Sequence, residues 1–255
     1  MSKLPKEYQF LDLSDYGRPI AKIIANSLKN TAITPIHVTI GFVISGLLAI
    51  LCILNHYYLA VAFFLVLKSI LDAADGELAR IKNQPSYTGR YLDSVSDIIL
   101  NLLIMVAIWY VTEGSIWYAI LAFMGIQLQG TLYNYYYVIL RNKFNGDTTS
   151  RIFEHDPPKA MKGENQQTVN FLFRLYNIFY GMFDRIIYGL DRNAVDSTNF
   201  PNWLMTAVST FGLGFQLLLI GIMFMLQLDR YIIPFFIGYS SFIFLFIKIR
   251  KLLNR

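Results

Sequence analysis

Five of the 17 acidic residues fall between positions 72 and 97, in stretches otherwise apolar enough to lie in a membrane. Ionised carboxylates beside hydrocarbon are costly and usually line a functional cavity. Their spacing says more than their number. At about 100° per helical residue, Asp72, Asp75 and Ala79 stay within about 60° of one another on one face. Gly89, Asp93 and Asp97, each four apart, make a second stripe, which Asn101 continues one turn deeper. Two helices joined by a short link therefore present four carboxylates to each other at one depth. Four such groups cannot all stay ionised side by side without positive charge. Hard divalent cations with oxygen ligands are the natural answer, and two of them would balance the four charges. The metal-free alternatives are a proton or cation pathway, or an ion-pair cluster with Lys68, Arg80 and Arg90.

The neighbouring residue types add a second requirement. Gly76, Ala79 and Gly89 carry little bulk, which lets a flat polar ligand approach the backbone. Small residues also serve close packing between membrane helices. Arg80, just beyond Asp75 at the membrane surface, has the planar fork that clamps a phosphate; its plainer role is a solvated arginine. Lys68 lies one turn before Asp72 on the same face, placed either to pair with Asp72 or to touch a substrate phosphate.

The elements that must position these groups are membrane helices. The 255-residue chain is 55% hydrophobic and 15% charged, with a mean hydropathy of +0.43, whereas soluble chains average about 25% charged residues. That balance excludes a disordered chain, a disulfide scaffold and a nucleic-acid-binding module. The single cysteine, Cys52, cannot form an internal disulfide. Six spans are expected, at 36–54, 58–78, 91–111, 116–140, 203–226 and 231–247, each close to the length a bilayer requires. The short links 55–57, 112–115 and 227–230 make their neighbours antiparallel hairpins. Runs of this length are helices, because a lipid-facing backbone must satisfy its own hydrogen bonds.

Twenty of the 22 Lys and Arg residues fall on one side of this arrangement, leaving Lys68 within a span and Arg230 opposite. The positive-inside rule then puts both termini and the acidic cluster at the cytoplasmic face. The polar opening, 1–15, does not read as a cleavable signal. Over 16–30, Ile20, Ile23, Ile24 and Leu28 share a face with Lys22 and Lys29 elsewhere, the pattern of an interfacial amphipathic helix. The link 141–200 is too long for a bare loop, and its aromatic-rich part, 170–190, interrupted by Arg174, Asp184 and Arg185, reads as a second in-plane helix. The expected fold is an all-α integral membrane protein with six transmembrane helices, an N-terminal interfacial amphipathic helix, and a cytoplasmic or interfacial insert between helices 4 and 5. It divides into an N-terminal cytoplasmic segment (1–34), helices 1–4 with the active site (35–140), a cytoplasmic loop with the in-plane helix (141–201), and helices 5–6 with a basic tail (202–255).

The string Asp72-Ala-Ala-Asp75-Gly76-Glu-Leu-Ala79-Arg80, eight residues, Gly89, three residues, Asp93, three residues, Asp97 resembles the complete signature of the CDP-alcohol phosphotransferase family. At about one in twenty per specified position, chance is no competitor. The resemblance covers 26 residues, and six spans with an amphipathic N-terminal helix are also similar to that family. It implies displacement of CMP from a CDP-linked donor, with CDP-diacylglycerol the leading choice, by an alcohol hydroxyl. It implies that Asp72, Asp75, Asp93 and Asp97 hold two Mg²⁺ or Mn²⁺ ions, that Asp97 is also the catalytic base, and that Asp75, Gly76, Ala79, Arg80 and Gly89 bind CDP. It further implies a homodimer in the lipid bilayer, and no nucleic-acid partner.

One departure is visible. Many family members open the first span with Thr-Pro-Asn, whereas this chain has Thr34-Pro35-Ile36-His37-Val38-Thr39, so Ile36 stands in the asparagine place. The acceptor alcohol is open. Gln127, Gln129, Tyr133 and Asn134 in the fourth span favour a weakly anionic one, with Lys68 and Arg141 as acceptor or phosphate contacts and Arg151 and Lys159 as cations that would fold over the pocket. Two other classes compete. A membrane prenyltransferase would use Mg²⁺ and aspartates, but in motifs far apart in sequence; a carboxylate-lined cation transporter would bind near the bilayer midplane, with repeats.

Overall fold

The computed structural model describes residues 4–144, 156–197 and 199–254, and among them the regular elements are helices, without strands. In chain order they are α1 (Arg18–Leu28), α2 (Pro35–Leu54), α3 (Tyr58–Ile81), α4 (Tyr87–Thr112), α5 (Ile116–Lys143), α6 (Gln166–Leu190), α7 (Asn202–Val208), α8 (Leu213–Met225), α9 (Asp229–Tyr239) and α10 (Phe242–Leu253).

Their boundaries follow from local chemistry. Thr34 and His37 cap α2 reciprocally, with Pro35 in the first helical turn, where a missing N–H costs nothing. His37 therefore serves the helix start. Ser86 caps α4 by accepting from the Gly89 N–H at 2.8 Å, and α4 stops at Glu113, in the left-handed region with φ 52°.

Among the described residues three stretches are long and apolar enough to cross a membrane, Pro35–Leu54, Tyr87–Thr112 and Asp229–Leu253, and a fourth joins them if the bent pair Asn202–Phe211 with Leu213–Met225 counts as one span. They mark an integral membrane protein. Helices α3 and α5 are as long, with 24 and 28 residues, but fall outside that set. The reason is composition: α3 carries Lys68, Asp72, Asp75, Glu77 and Arg80, and α5 carries Gln127, Gln129, Asn134 and Arg141. Lys68, Asp75, Gln127, Gln129 and Arg141 of these two helices are buried. Thus Gln129 donates to Ser240 Oγ at 2.9 Å and accepts from Gln216 at 3.0 Å, tying α5 to α8 and to the α9–α10 break. Such bonds hold membrane helices together where hydrophobicity cannot.

Two expectations are corrected here. The fifth span, expected to be continuous over 203–226, is broken: α7 and a 3-10 turn at Ser209–Phe211 meet α8 at Gly212 with a bend of 55°. The N-terminal segment fills the break. A 3-10 turn at Leu13–Asp15 lies there, the Leu13 N–H donates to Ser209 Oγ at 2.9 Å, and a side chain at Gly212 or Gly214 would run into Ser14. The sixth span is likewise interrupted at Ser240 and Ser241, whose hydroxyls donate back to the carbonyls of Phe236 and Gly238, a known cause of helix breaks.

Helix α2 packs along both α3 and α4, and α8 along the other side of α3. Small residues permit this: Cβ atoms added at Gly46 and Gly221 would press on Leu100 and Ala62. The main apolar core joins Ile53, Leu65, Ile104, Ile108, Ala122 and Phe236. Helix α1 buries Ala21 and Ala25 while Ile20 and Ile23 point outward, as an interfacial helix does. Helix α6 starts four residues before the expected 170. It crosses the first turns of α4 through Tyr91, Leu172 and Phe173, then reaches the end of α5, where Tyr188 meets Tyr135.

Candidate active site

The facing ends of α3 and α4 bring the acids together. Asp72, Asp75 and Asp93 each offer a carboxylate oxygen within 4.8 Å of the others. Asp75 is buried, and its Oδ2 accepts from Thr39 Oγ1 of α2 at 2.6 Å. Asp93 Oδ1 is buried with no hydrogen-bond partner, which is costly unless something else satisfies it. An all-oxygen donor set of this kind suits Mg²⁺ or Mn²⁺, so the residues present fit a divalent cation.

Asp97, expected as the fourth member, stands beside this trio rather than within it. Its Oδ1 accepts from Lys68 Nζ at 2.5 Å. Lys68 is fully buried and also lies 4.9 Å from the Phe42 ring centroid. Of the two placements open for Lys68, beside Asp72 or on a substrate phosphate, neither names the partner it has here, Asp97 across the helix gap. The physical reason is reach. A buried ammonium needs a close, hydrogen-bonded counter-charge, and the facing helix supplies it.

Arg80 is held by Glu77, with Nη2 to Oε1 at 3.2 Å, and its guanidinium lies over Gly76, whose added Cβ would sit 3.6 Å from Nη2. Arg18 of α1 pairs with the same Glu77 oxygen and with Asp15, which ties the N-terminal helix to the signature. Arg80 Nε is buried without a partner, a donor left for an anion. Ala79, half-buried, accepts from the Gln84 N–H through its carbonyl at 2.9 Å. Gly89 sits in the first turn of α4, where a Cβ would press on Ser86 Oγ at 3.2 Å.

Two of the acceptor contacts expected in the fourth span, Gln129 and Tyr133, are engaged elsewhere. Gln129 is internal glue, the Tyr133 hydroxyl donates to Asp12 Oδ2 at 2.5 Å, and Asn134 is exposed. Gln127 is buried, with its Nε2 unpartnered. Arg141 is buried over the Tyr137 ring, 5.1 Å from its centroid. Lys159 is exposed, and Arg151 lies outside the described residues.

Several site residues carry no sequence pattern that singles them out. Arg18 and Glu77 are of this kind, and so is Glu164. The Glu164 carboxylate accepts from Ser86 Oγ at 2.7 Å and from the backbone N–H groups of Thr88 at 2.8 Å and Met161 at 2.9 Å. Partial burial pushes its acidity the other way, yet these donors hold the carboxyl below the ordinary glutamate range. Only Thr39 had a sequence clue, lying one turn after Pro35 on the face toward Asp75.

The facing ends of α3 and α4 thus set three carboxylates that could hold a metal ion beside a helix end carrying the Arg18–Glu77–Arg80 cluster. Residues 32–154 match the family model for CDP-alcohol phosphatidyltransferase. That family implies transfer of phosphate-containing groups, and its members use CDP-alcohols and depend in general on divalent metal. Comparison with curated proteins returns no match.

Proposed function

We propose that this protein transfers a phosphatidyl group from CDP-diacylglycerol to an alcohol hydroxyl, releasing CMP, at the cytoplasmic face of a six-span membrane domain. The observation that carries this reading is the convergence of Asp72, Asp75 and Asp93 within 4.8 Å, with Asp93 Oδ1 unsatisfied, inside the matched region. Asp72, Asp75, Asp93 and Asp97 would hold two divalent ions. Bound there, the metals would neutralise charge on the pyrophosphate and its leaving oxygen.

The chain's own residues do the remainder. Gly76, Ala79 and Gly89 leave room for the cytidine, and Arg80 binds a phosphate oxygen, with Glu77 and Arg18 orienting it. Lys68 holds Oδ1 of Asp97, so the other oxygen of that carboxylate takes the acceptor's hydroxyl proton as the oxygen attacks phosphorus. The phosphorus–oxygen bond to CMP breaks as the new one forms. With Gln129 and Tyr133 engaged elsewhere, the ground for a weakly anionic acceptor weakens.

Purified protein in lipid nanodiscs, given CDP-diacylglycerol and a panel of radiolabelled alcohols (glycerol phosphate, inositol phosphate, serine, choline, ethanolamine), should release CMP and yield labelled lipid with one of them. No CMP release and no lipid product across the panel, in Mg²⁺ or Mn²⁺, would refute the reading.

A further inference from the structure

The link between α3 and α4 is short, and the turn that opens α4 carries Gly89 three residues after its cap, Ser86. The hydroxyl of Ser86 is used in both directions: it accepts from the Gly89 N–H at 2.8 Å and donates to Glu164 Oε1 at 2.7 Å. The same Glu164 oxygen takes the Thr88 N–H, one of the first-turn amides that no helix can satisfy internally. A carboxylate there is also favoured by the helix dipole. The other Glu164 oxygen accepts from Met161, so one side chain joins the segment before α6 to the first turn of α4, 78 residues away for Ser86.

Beyond Glu164 the chain lies down on α4. Val169, Leu172 and Phe173 enclose the fully buried Tyr91, and the Tyr180 hydroxyl donates to the Ser94 carbonyl at 3.0 Å. The apolar contacts grip the helix past its opening turn, and Glu164 grips the turn itself.

We infer that Glu164 is a positioning residue for nucleotide binding: by fixing Ser86 and the Thr88 amide it sets the place of Gly89, and with it the backbone surface offered to the cytidine diphosphate. This rests on the function proposed above. It predicts that loss of the carboxylate weakens the nucleotide site while the chain still folds, because α6 keeps its apolar seat on Tyr91.

The test uses the full chain in nanodiscs with Glu164→Ala, Glu164→Gln and Gln166→Ala. The last removes contacts to Ala160 and Pro158 within the same segment without touching α4. Three quantities are read: CDP affinity in Mg²⁺, the KM-against-kcat split with CDP-diacylglycerol, and hydrogen exchange of the Thr88 and Gly89 amides without nucleotide. Supporting partners behind a metal or ligand site are typically worth about 10–100-fold. Glu164→Ala should weaken CDP binding and raise KM by about tenfold or more, change kcat little, and speed exchange at both amides. Glu164→Gln, which keeps an acceptor oxygen, should fall between, and Gln166→Ala should match wild type.

Unchanged exchange at Thr88 and Gly89 in Glu164→Ala overturns the inference. So does a lowered unfolding temperature with unaltered CDP affinity and KM, or a Gln166→Ala variant that behaves like Glu164→Ala. The two readings fail separately: wild-type protein that binds no CDP refutes the proposed function, whereas wild-type binding that survives Glu164→Ala refutes the positioning role.

Discussion

Asp97→Asn should abolish turnover while leaving nucleotide binding close to wild type. The substitution keeps the shape of the side chain and an oxygen for Lys68 Nζ, which sits 2.5 Å from Asp97 Oδ1. The buried ammonium therefore keeps a hydrogen-bond acceptor, and the helix gap keeps its geometry. The capacity to accept a proton disappears. A positioned acid–base group is worth roughly 10²–10⁴ in rate, so CMP release should fall by at least two orders of magnitude. The trio of Asp72, Asp75 and Asp93 is untouched, and the amide keeps a neutral oxygen ligand in the place of the Asp97 carboxylate, so CDP should still bind with divalent metal. Near-normal turnover in this variant would remove Asp97 from the role of base.

The second large effect lies away from the acids. Asp191 is fully buried and receives the Arg250 guanidinium through Nη2 and Nε, together with the Tyr136 hydroxyl at 2.6 Å. Arg250, itself buried, also donates to Ser197 Oγ at 2.9 Å. This network fastens the end of α6 and the last helix, α10, to α5. Deleting one member strands a buried charge, and such changes cost about 3–5 kcal/mol. Asp191→Ala should therefore lower unfolding stability in detergent by about that amount. Asp191→Leu combined with Arg250→Met should recover much of it, because two apolar groups leave no stranded charge. A loss below about 1 kcal/mol for Asp191→Ala would put the pair among exposed surface ion pairs and contradict its buried, structural role.

The acids of α3 and α4 were legible because helical periodicity is local: spacings of three and four put them on one face of each helix, and the short link faces the two helices toward each other. Lys68 was legible as an intramembrane cation but not its partner. The sequence offers Asp72 on the same helix or a substrate phosphate, whereas Asp97 across the gap holds it. The same limit explains the fifth span. Hydropathy reads 203–226 as one run, and nothing periodic announces that Ser14 wedges at Gly212 and Gly214. Glu164 with Ser86 and Asp191 with Arg250 join residues 78 and 59 apart, and such pairings have no signature in a single chain. Polar inward-facing residues likewise kept α3 and α5 from reading as simple apolar spans.

The central claim is that the acids at the facing ends of α3 and α4 grip divalent metal against a cytidine diphosphate. Calorimetric titration of CDP into nanodisc-embedded wild-type protein and Asp75→Asn, each in Mg²⁺ and in EDTA, tests it most directly. Binding is expected in the wild-type protein with Mg²⁺ and in none of the other three conditions. Equal CDP affinity in EDTA, or in Asp75→Asn, would contradict it.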